Sequence, residues 1–229
     1  MLDFAAHAQK LGLAYKDLDL LVEALTHRSY LNENRTTAGN HNERLEFLGD
    51  AVLELIVTHF LFARFPGKPE GDLTAYRAAL VNTYSLAETA EALGVNDMLL
   101  LSKGEKKDTG RARQIILANA FEAILGSIYL DQGYEATAAF VNRTLTPKID
   151  SVLKNRTWQD AKSQFQEVAQ EKQGVTPTYK TVSESGPDHD KQFTVGVFLG
   201  DKEVARGDGK SKQEAEQAAA HAALEILGA

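Results

Sequence analysis

The chain has 229 residues, 43% apolar and 25% charged, a composition that can bury a core and is unlike that of a disordered tail. Cysteine is absent, which excludes disulfides, thiolate zinc sites and cysteine nucleophiles and leaves only oxygen or imidazole to bind a metal. The net charge of −7 argues against non-specific adhesion to a polyanion, because such binding is driven largely by counterion release.

Residues Met1 to Leu20 scatter Asp3, His7, Lys10, Lys16 and Asp17 among apolar positions. No signal peptide is read there, and the expectation is the first helix of a cytoplasmic protein. From Tyr15 to about Leu153 apolar residues recur three and four apart, as in Leu18, Leu21, Val22, Leu25 and in Leu45, Leu48, Val52, Leu55, Ile56, which predicts helix after helix. The polar run Asn32 to Asn42 and the breaker cluster Phe65-Pro66-Gly67-Lys68-Pro69-Glu70-Gly71 interrupt the pattern, with further stops at Gly94, Gly104, Gly110 and Gly133. The most apolar stretch, Ala51 to Ala63, contains Glu54 and His59 and is too short and polar to cross a bilayer, so no membrane span is expected. Lys103 to Arg113, KGEKKDTGRAR, makes a local basic patch in an acidic chain, either a solvated loop or a surface for an anion.

After Lys154 the character changes. A polar segment, Asn155-Arg156-Thr157, leads to a helix over Ala161 to Lys172. Short runs rich in Val, Thr, Phe and Tyr then predict strands at Thr178–Ser185, Gln192–Leu199 and Lys202–Arg206, separated by Gly186-Pro187-Asp188-His189 and Gly200-Asp201. An alanine-rich helix over Ser211 to Leu227 follows. The fold class expected is multidomain: an all-α domain over residues 1–154, then an α+β domain of order α-β-β-β-α over 155–229, with a short linker near 155–158. Trp158 is read as a packing residue at that junction.

In NERLEFLGDAVL, Asn42 to Leu53, Glu43, Glu46 and Asp50 stand at i, i+3 and i+7. A helix would place these three carboxylates on one stripe and Leu45, Leu48 and Val52 on another. Like charges at that spacing repel, and Asp50 lies in an apolar run, where burying an unpaired carboxylate costs several kcal/mol. A hard divalent cation such as Mg²⁺ would offset both penalties and prefers oxygen ligands. Gly49 costs the helix about 1 kcal/mol relative to alanine, so close packing by a partner subunit or a phosphate backbone is expected there. A simpler reading stays open, in which Asn40 and Glu43 form a capping box and Glu46 is a solvated surface residue. Ile115 to Asp131, IILANAFEAILGSIYLD, is a second apolar helix carrying Asn119 and Glu122 at i, i+3, so the two helices could converge on shared ions.

NERLEFLGD resembles the signature of the ribonuclease III family, and LTHRSY (Leu25 to Tyr30), PEGDLT (Pro69 to Thr74) and LANAFEA match its other blocks in order and spacing. The resemblance extends over essentially the whole chain. It implies an endoribonuclease that hydrolyses double-stranded RNA with Mg²⁺, Mn²⁺ being able to substitute, and leaves 5′-phosphate and 3′-hydroxyl ends in the processing of rRNA and mRNA. Carried over by motif, the metal ligands are Glu46, Asp50, Asn119 and Glu122, with Asp50 and Glu122 central to catalysis and Glu43 and Glu70 as further acidic residues near the scissile phosphate. It also implies a homodimer through the catalytic domain, so that two sites face one duplex and leave short 3′ overhangs. One departure stands out: Asn119 occupies a position where the family most often has aspartate, which keeps a ligating oxygen but removes a negative charge. Ala51, where serine is common, needs only to be small.

The second domain resembles the double-stranded-RNA-binding domain, which reads an A-form duplex by shape across two minor grooves and the phosphates between them. Three surfaces are assigned through that resemblance: Ser163, Gln166 and Gln170 on the first helix; Gly186, Pro187 and His189 in the strand-connecting loop; and Lys210 and Lys212 at the start of the last helix, where exposed backbone N–H groups also favour phosphate. From Trp158 onward about eight basic residues face twelve acidic ones, and Gln213 stands where a third lysine is frequent, so weak, salt-sensitive binding is expected of the isolated domain. The six histidines show no paired-ligand spacing and no zinc site is expected. The rival reading is a duplex-binding protein that no longer cuts because of Asn119. A helical scaffold is disfavoured because it would not need Glu46, Asp50 and Glu122 on apolar helices.

Overall fold

Several helices end where the breakers fall, while the ends at Ala24 and Val81 carry neither glycine nor proline. The computed structural model describes residues 2–34, 39–154, 161–187 and 191–227, and the chain divides into two compact units, residues 1–158 and 159–229. The expected linker near 155–158, including Trp158, lies outside the described residues.

The first unit comprises α1 (Phe4–Lys10), α2 (Leu18–Ala24), α3 (Arg28–Glu33), α4 (Glu43–Arg64), α5 (Glu70–Val81), α6 (Thr83–Ala92), α7 (Arg111–Gln132), α8 (Tyr134–Thr144) and α9 (Ile149–Lys154). Helix α7 is the axis of the unit and packs against α4, α6, α2 and α8. Its Phe121, Ile124, Leu125 and Ile128 are fully buried, each such side chain contributing roughly 1.5–3 kcal/mol. Residues Met1 to Leu20 are not one helix: Gly12 takes φ +70° after α1, and Asp17, accepting from the Asp19 amide, caps a new helix. Among the described residues, one β-type pairing occurs in this unit, a parallel bridge between Thr26 and Leu100. No described helix is long and apolar enough to cross a membrane.

The second unit comprises α10 (Ala161–Gln173), β1 (Thr178–Ser185), β2 (Gln192–Leu199), β3 (Lys202–Gly209) and α11 (Lys212–Leu227). The strands form an antiparallel meander in the order β1-β2-β3, with Thr178 opposite Phe198 and Leu199 opposite Lys202. The third strand runs three residues past the expected end at Arg206. Phe165 and Ala169 of α10, Val197 and Leu199 of β2, and Ala219, Ala220, Ala223 and Leu224 of α11 fill the core. The alanine face lets α11 lie close to β3, where a Cβ on Gly207 would strike the Ala218–Ala219 backbone. One helix pair therefore covers one face of the sheet.

Candidate functional site

Glycine on each of two helices creates the site. A Cβ added to Gly49 of α4 would run into the Glu122 carbonyl oxygen of α7, and one added to Gly126 would strike the Leu45 carbonyl. The backbones cross in direct contact, so polar side chains flanking the crossing are driven toward one another. The close neighbour expected at Gly49 is thus α7 of the same chain, not a partner subunit or a phosphate.

On one side of this crossing α4 contributes Glu46 and Asp50 and α7 contributes Asn119 and Glu122. Burial pushes the Glu122 carboxyl up to about 8, reinforced by the charges of Asp50 and Glu46. Glu46 is also raised, first by burial and then by Glu43 and Asp50, while a hydrogen bond donated by the Asn119 amide works in the opposite direction. These mutual influences place three carboxylates within electrostatic reach of one another, with one amide beside them. The location of the strain differs from expectation: Asp50 is exposed, and the half-buried Glu122 bears the desolvation. Glu122 lacks its own carboxylate neighbours along α7 and sits among apolar residues, so its position was readable while its environment was not.

Glu43 opens α4 without a capping box. The cap residue is Asn42, which makes no side-chain cap bond, and Asn40 instead donates to Glu23. The Glu43 carboxylate lies 3.4 Å from Arg28 and 3.8 Å from His41. Glu70 is not part of the α4–α7 group; it opens α5, accepts from the Thr74 hydroxyl at 2.9 Å and lines a groove with Thr58, Phe62 and Arg77.

The donor set of the α4–α7 group is all oxygen and carries more negative charge than its surroundings offset, which suits a hard divalent ion. Among the described residues, no three acidic or histidine side chains stand close enough to form a ready-made ion-binding group; Glu46, Asp50 and Glu122 influence one another electrostatically without closing into a coordination shell.

Sequence reasoning missed the support beneath α4. The buried Asn42 donates its side-chain amide N–H to the Ala24 carbonyl at 3.3 Å and its backbone N–H to the Thr26 carbonyl. His27 donates its backbone N–H to the Leu100 carbonyl, Ser29 accepts from the Ser102 amide, and Arg28 reaches Glu43. LTHRSY thereby ties the start of α4 to the segment that leads into the basic patch. The presence of that block upstream of NERLEFLGD was the available signal.

In the second unit Ser163, Gln166 and Gln170 are all exposed on α10, opposite Phe165 and Ala169. Ser163 and Gln166 line a polar depression with Lys162, Pro177, Tyr179, Gln213 and Gln217, while Gln170 accepts from the Thr176 hydroxyl. Gly186 takes φ +89° as β1 ends and Pro187 follows; His189 lies outside the described residues. Ser211 accepts from the Glu214 amide at the head of α11, and Glu214 in turn accepts from the Lys210 backbone N–H. Lys212 is the first residue of α11.

Two family models match the chain: one described as ribonuclease-III-like over residues 17–149, the other as a double-stranded RNA binding motif over residues 161–227. The chain is 45% identical over 218 residues to a protein named Ribonuclease 3 from Myxococcus xanthus, covering 95% of this chain and 84% of that relative. It is 47% identical over 220 residues to the Ribonuclease 3 of Geobacillus kaustophilus, covering 96% and 89%. Its fold is similar to the nuclease domain of ribonuclease III from Campylobacter jejuni, a structure described for flexibility in a region involved in dimer formation, with TM-score 0.56, 42% identity, and 62% and 95% of the two chains covered.

Proposed function

This chain belongs to the ribonuclease III family, and we propose that it is a cytoplasmic, divalent-metal-dependent endoribonuclease that cuts double-stranded RNA in the processing of rRNA and mRNA. Residues 1–154 would form the catalytic domain and 155–229 the duplex-binding domain. The observation that carries the reading is the convergence of Glu46, Asp50 and Glu122 with Asn119 at the α4–α7 crossing.

Glu46, Asp50, Asn119 and Glu122 would hold Mg²⁺, with Mn²⁺ able to take its place. When bound, the ion supplies activation of a water and neutralisation of charge on the scissile phosphate. The chain's own residues do the rest. Glu122, desolvated and repelled by its neighbours, holds a proton near neutral pH and releases it as a cation arrives. The Asn119 amide holds the Glu46 carboxylate in place. Glu43, steadied by Arg28, and Glu70 would flank the phosphate.

A homodimer is supported by the outer face of α4. Phe47 is 82% exposed, Leu55 58% and Phe62 71%, and Phe47 borders a cavity of about 670 Å³ whose lining includes Leu20, Leu45, Leu48 and Leu130. Such large exposed apolar groups in one stripe fit an isologous contact. On the second unit, the α10 face, the loop after β1, and Lys210 and Lys212 would meet the duplex.

Incubating long duplex RNA with the protein, with and without Mg²⁺, tests the assignment. Metal-dependent fragments with 5′-phosphate and 3′-hydroxyl ends are expected. Binding without cutting, repaired by Asn119→Asp, would establish the duplex-binding reading instead.

A further inference from the structure

Glu184, one residue from the end of β1, reaches two lysines at once. Its carboxylate oxygens stand 3.3 Å from the Lys191 ammonium and 3.1 Å from that of Lys212. Lys191 begins the return toward β2 and Lys212 begins α11, so one carboxylate joins the base of the strand-connecting loop to the head of the last helix. Both ammonium groups also lie over the ring of Phe193, 5.9 and 5.7 Å from its centroid, and Phe193 is the cross-strand partner of Glu184. Hydrogen bonds from Lys212 and then Lys191 hold the Glu184 carboxyl below its ordinary range. Two further cations of the unit are also engaged, Lys162 with Glu216 and Arg206 with Glu203.

A carboxylate and a phosphate compete for the same ammonium hydrogens. With eight basic residues against twelve acidic from Trp158 onward, the unit has no surplus of cations to offset one that is already occupied. We propose that Glu184 is an internal stand-in for an RNA phosphate: it holds Lys191 and Lys212 in the free protein, competes with the duplex for both, and thereby sets duplex affinity and its salt dependence. The proposal rests on the reading of Lys212 as a phosphate contact. A duplex docking here must draw two ammonium groups away from Glu184 and leave that carboxylate facing phosphates. Replacing the acid with an amide of the same shape removes both penalties.

The test measures binding of the full-length protein to a duplex longer than the roughly 16 base pairs that one such domain spans, by fluorescence anisotropy in EDTA so that cleavage does not intervene, across a salt series. Glu184→Gln, Lys212→Gln, the double variant, and Glu225→Gln are compared, the last removing an exposed acid that pairs with His221 on α11. Glu184→Gln is expected to tighten binding about three- to fivefold, the scale of exposed ion pairs. It should also steepen the slope of log K against log salt by no more than about 0.9, since a single negative charge is removed from the contact. Glu225→Gln should do less than half as much, and adding Glu184→Gln to Lys212→Gln should restore only the Lys191 share. Unchanged or weaker binding by Glu184→Gln, while Lys212→Gln still weakens it, overturns the role of Glu184 alone. Binding that is indifferent to Lys212→Gln overturns the phosphate reading beneath it. Matching far-ultraviolet circular dichroism of all variants keeps misfolding out of either result.

Discussion

The α4–α7 crossing and the sheet-and-helix surface of the second unit handle charge in opposite ways. At the crossing, backbone contact at Gly49 and Gly126 forces like charges together and partly out of water, so that Glu122 is raised to about 8. On the second unit, the described groups assigned to RNA are exposed, and unlike charges sit beside them, as Glu184 beside Lys191 and Lys212. One region accumulates repulsion that an arriving cation would relieve. The other spreads its charge into weak pairs that an arriving polyanion would exchange. The lesson is that a reacting centre and a shape-reading surface carry different energetic signatures, and substitutions should separate them by size of effect.

The largest effect is expected at Glu122. Glu122→Gln should lower duplex cleavage by about a hundredfold or more, measured in single turnover at saturating Mg²⁺, because a ligand and a charge are lost together. The same change should simplify the stability of the ion-free protein. Glu122 titrates at about 8 when folded against an ordinary 4.5, so between those values the folded chain binds more protons than the unfolded one. Stability in EDTA therefore falls as pH rises through that window. Thermal melts from acid to alkaline pH should show that decline in the parent and a flatter profile in Glu122→Gln.

Gly49→Ala comes next. Its Cβ cannot be accommodated without separating α4 from the Glu122 carbonyl, and overpacking of this kind costs about 1–3 kcal/mol or somewhat more. Urea unfolding should report that loss, and cleavage should fall with it because the ligands move apart. An alanine tolerated there would break the idea that contact at the crossing assembles the site.

A smaller change is expected at Asn119. Asn119→Asp adds a fourth negative charge and removes the hydrogen bond donated to Glu46. Divalent-ion affinity should rise roughly tenfold, since ligand charge tunes such sites, while the melting temperature in EDTA should drop. Equal ion affinity in the two proteins would show that the amide already serves as well as a carboxylate.

The smallest effect belongs to the second unit. Lys210→Gln should weaken duplex binding only a few-fold, equally for unrelated sequences, and reduce the salt slope by about 1. A loss confined to particular sequences would contradict recognition by shape.

Legibility in the sequence follows the same division. The crossing announced itself through local violations: carboxylates at i, i+3 and i+7, glycine inside α4, and Asn119 with Glu122 on an otherwise apolar helix. Helix periodicity showed the first unit to be helix after helix without fixing most of the bounds, and alternation with turn glycines indicated the three strands. What the sequence did not disclose was three-dimensional in origin. That Gly49 meets α7 depends on a partner 77 residues farther along, at Gly126. That Asp50 is exposed and Glu122 desolvated depends on which face of each helix the neighbours cover. Residues 11–17 looked helical by composition, yet Gly12 and the cap at Asp17 divide them. The second unit's surface broke no local rule, because serine, glutamine and lysine on exposed faces are ordinary, and so its assignment came through resemblance.

In the proposed site, side chains from α4 and α7 would act together on one divalent ion. Calorimetric titration of Mg²⁺ and Mn²⁺ into the metal-free parent, Glu46→Gln and Glu122→Gln tests it most directly. Saturable binding in the parent, accompanied by proton release and weakened at least about tenfold by either substitution, is the predicted result. Ion binding that survives both substitutions unchanged would place the ion elsewhere and contradict the account.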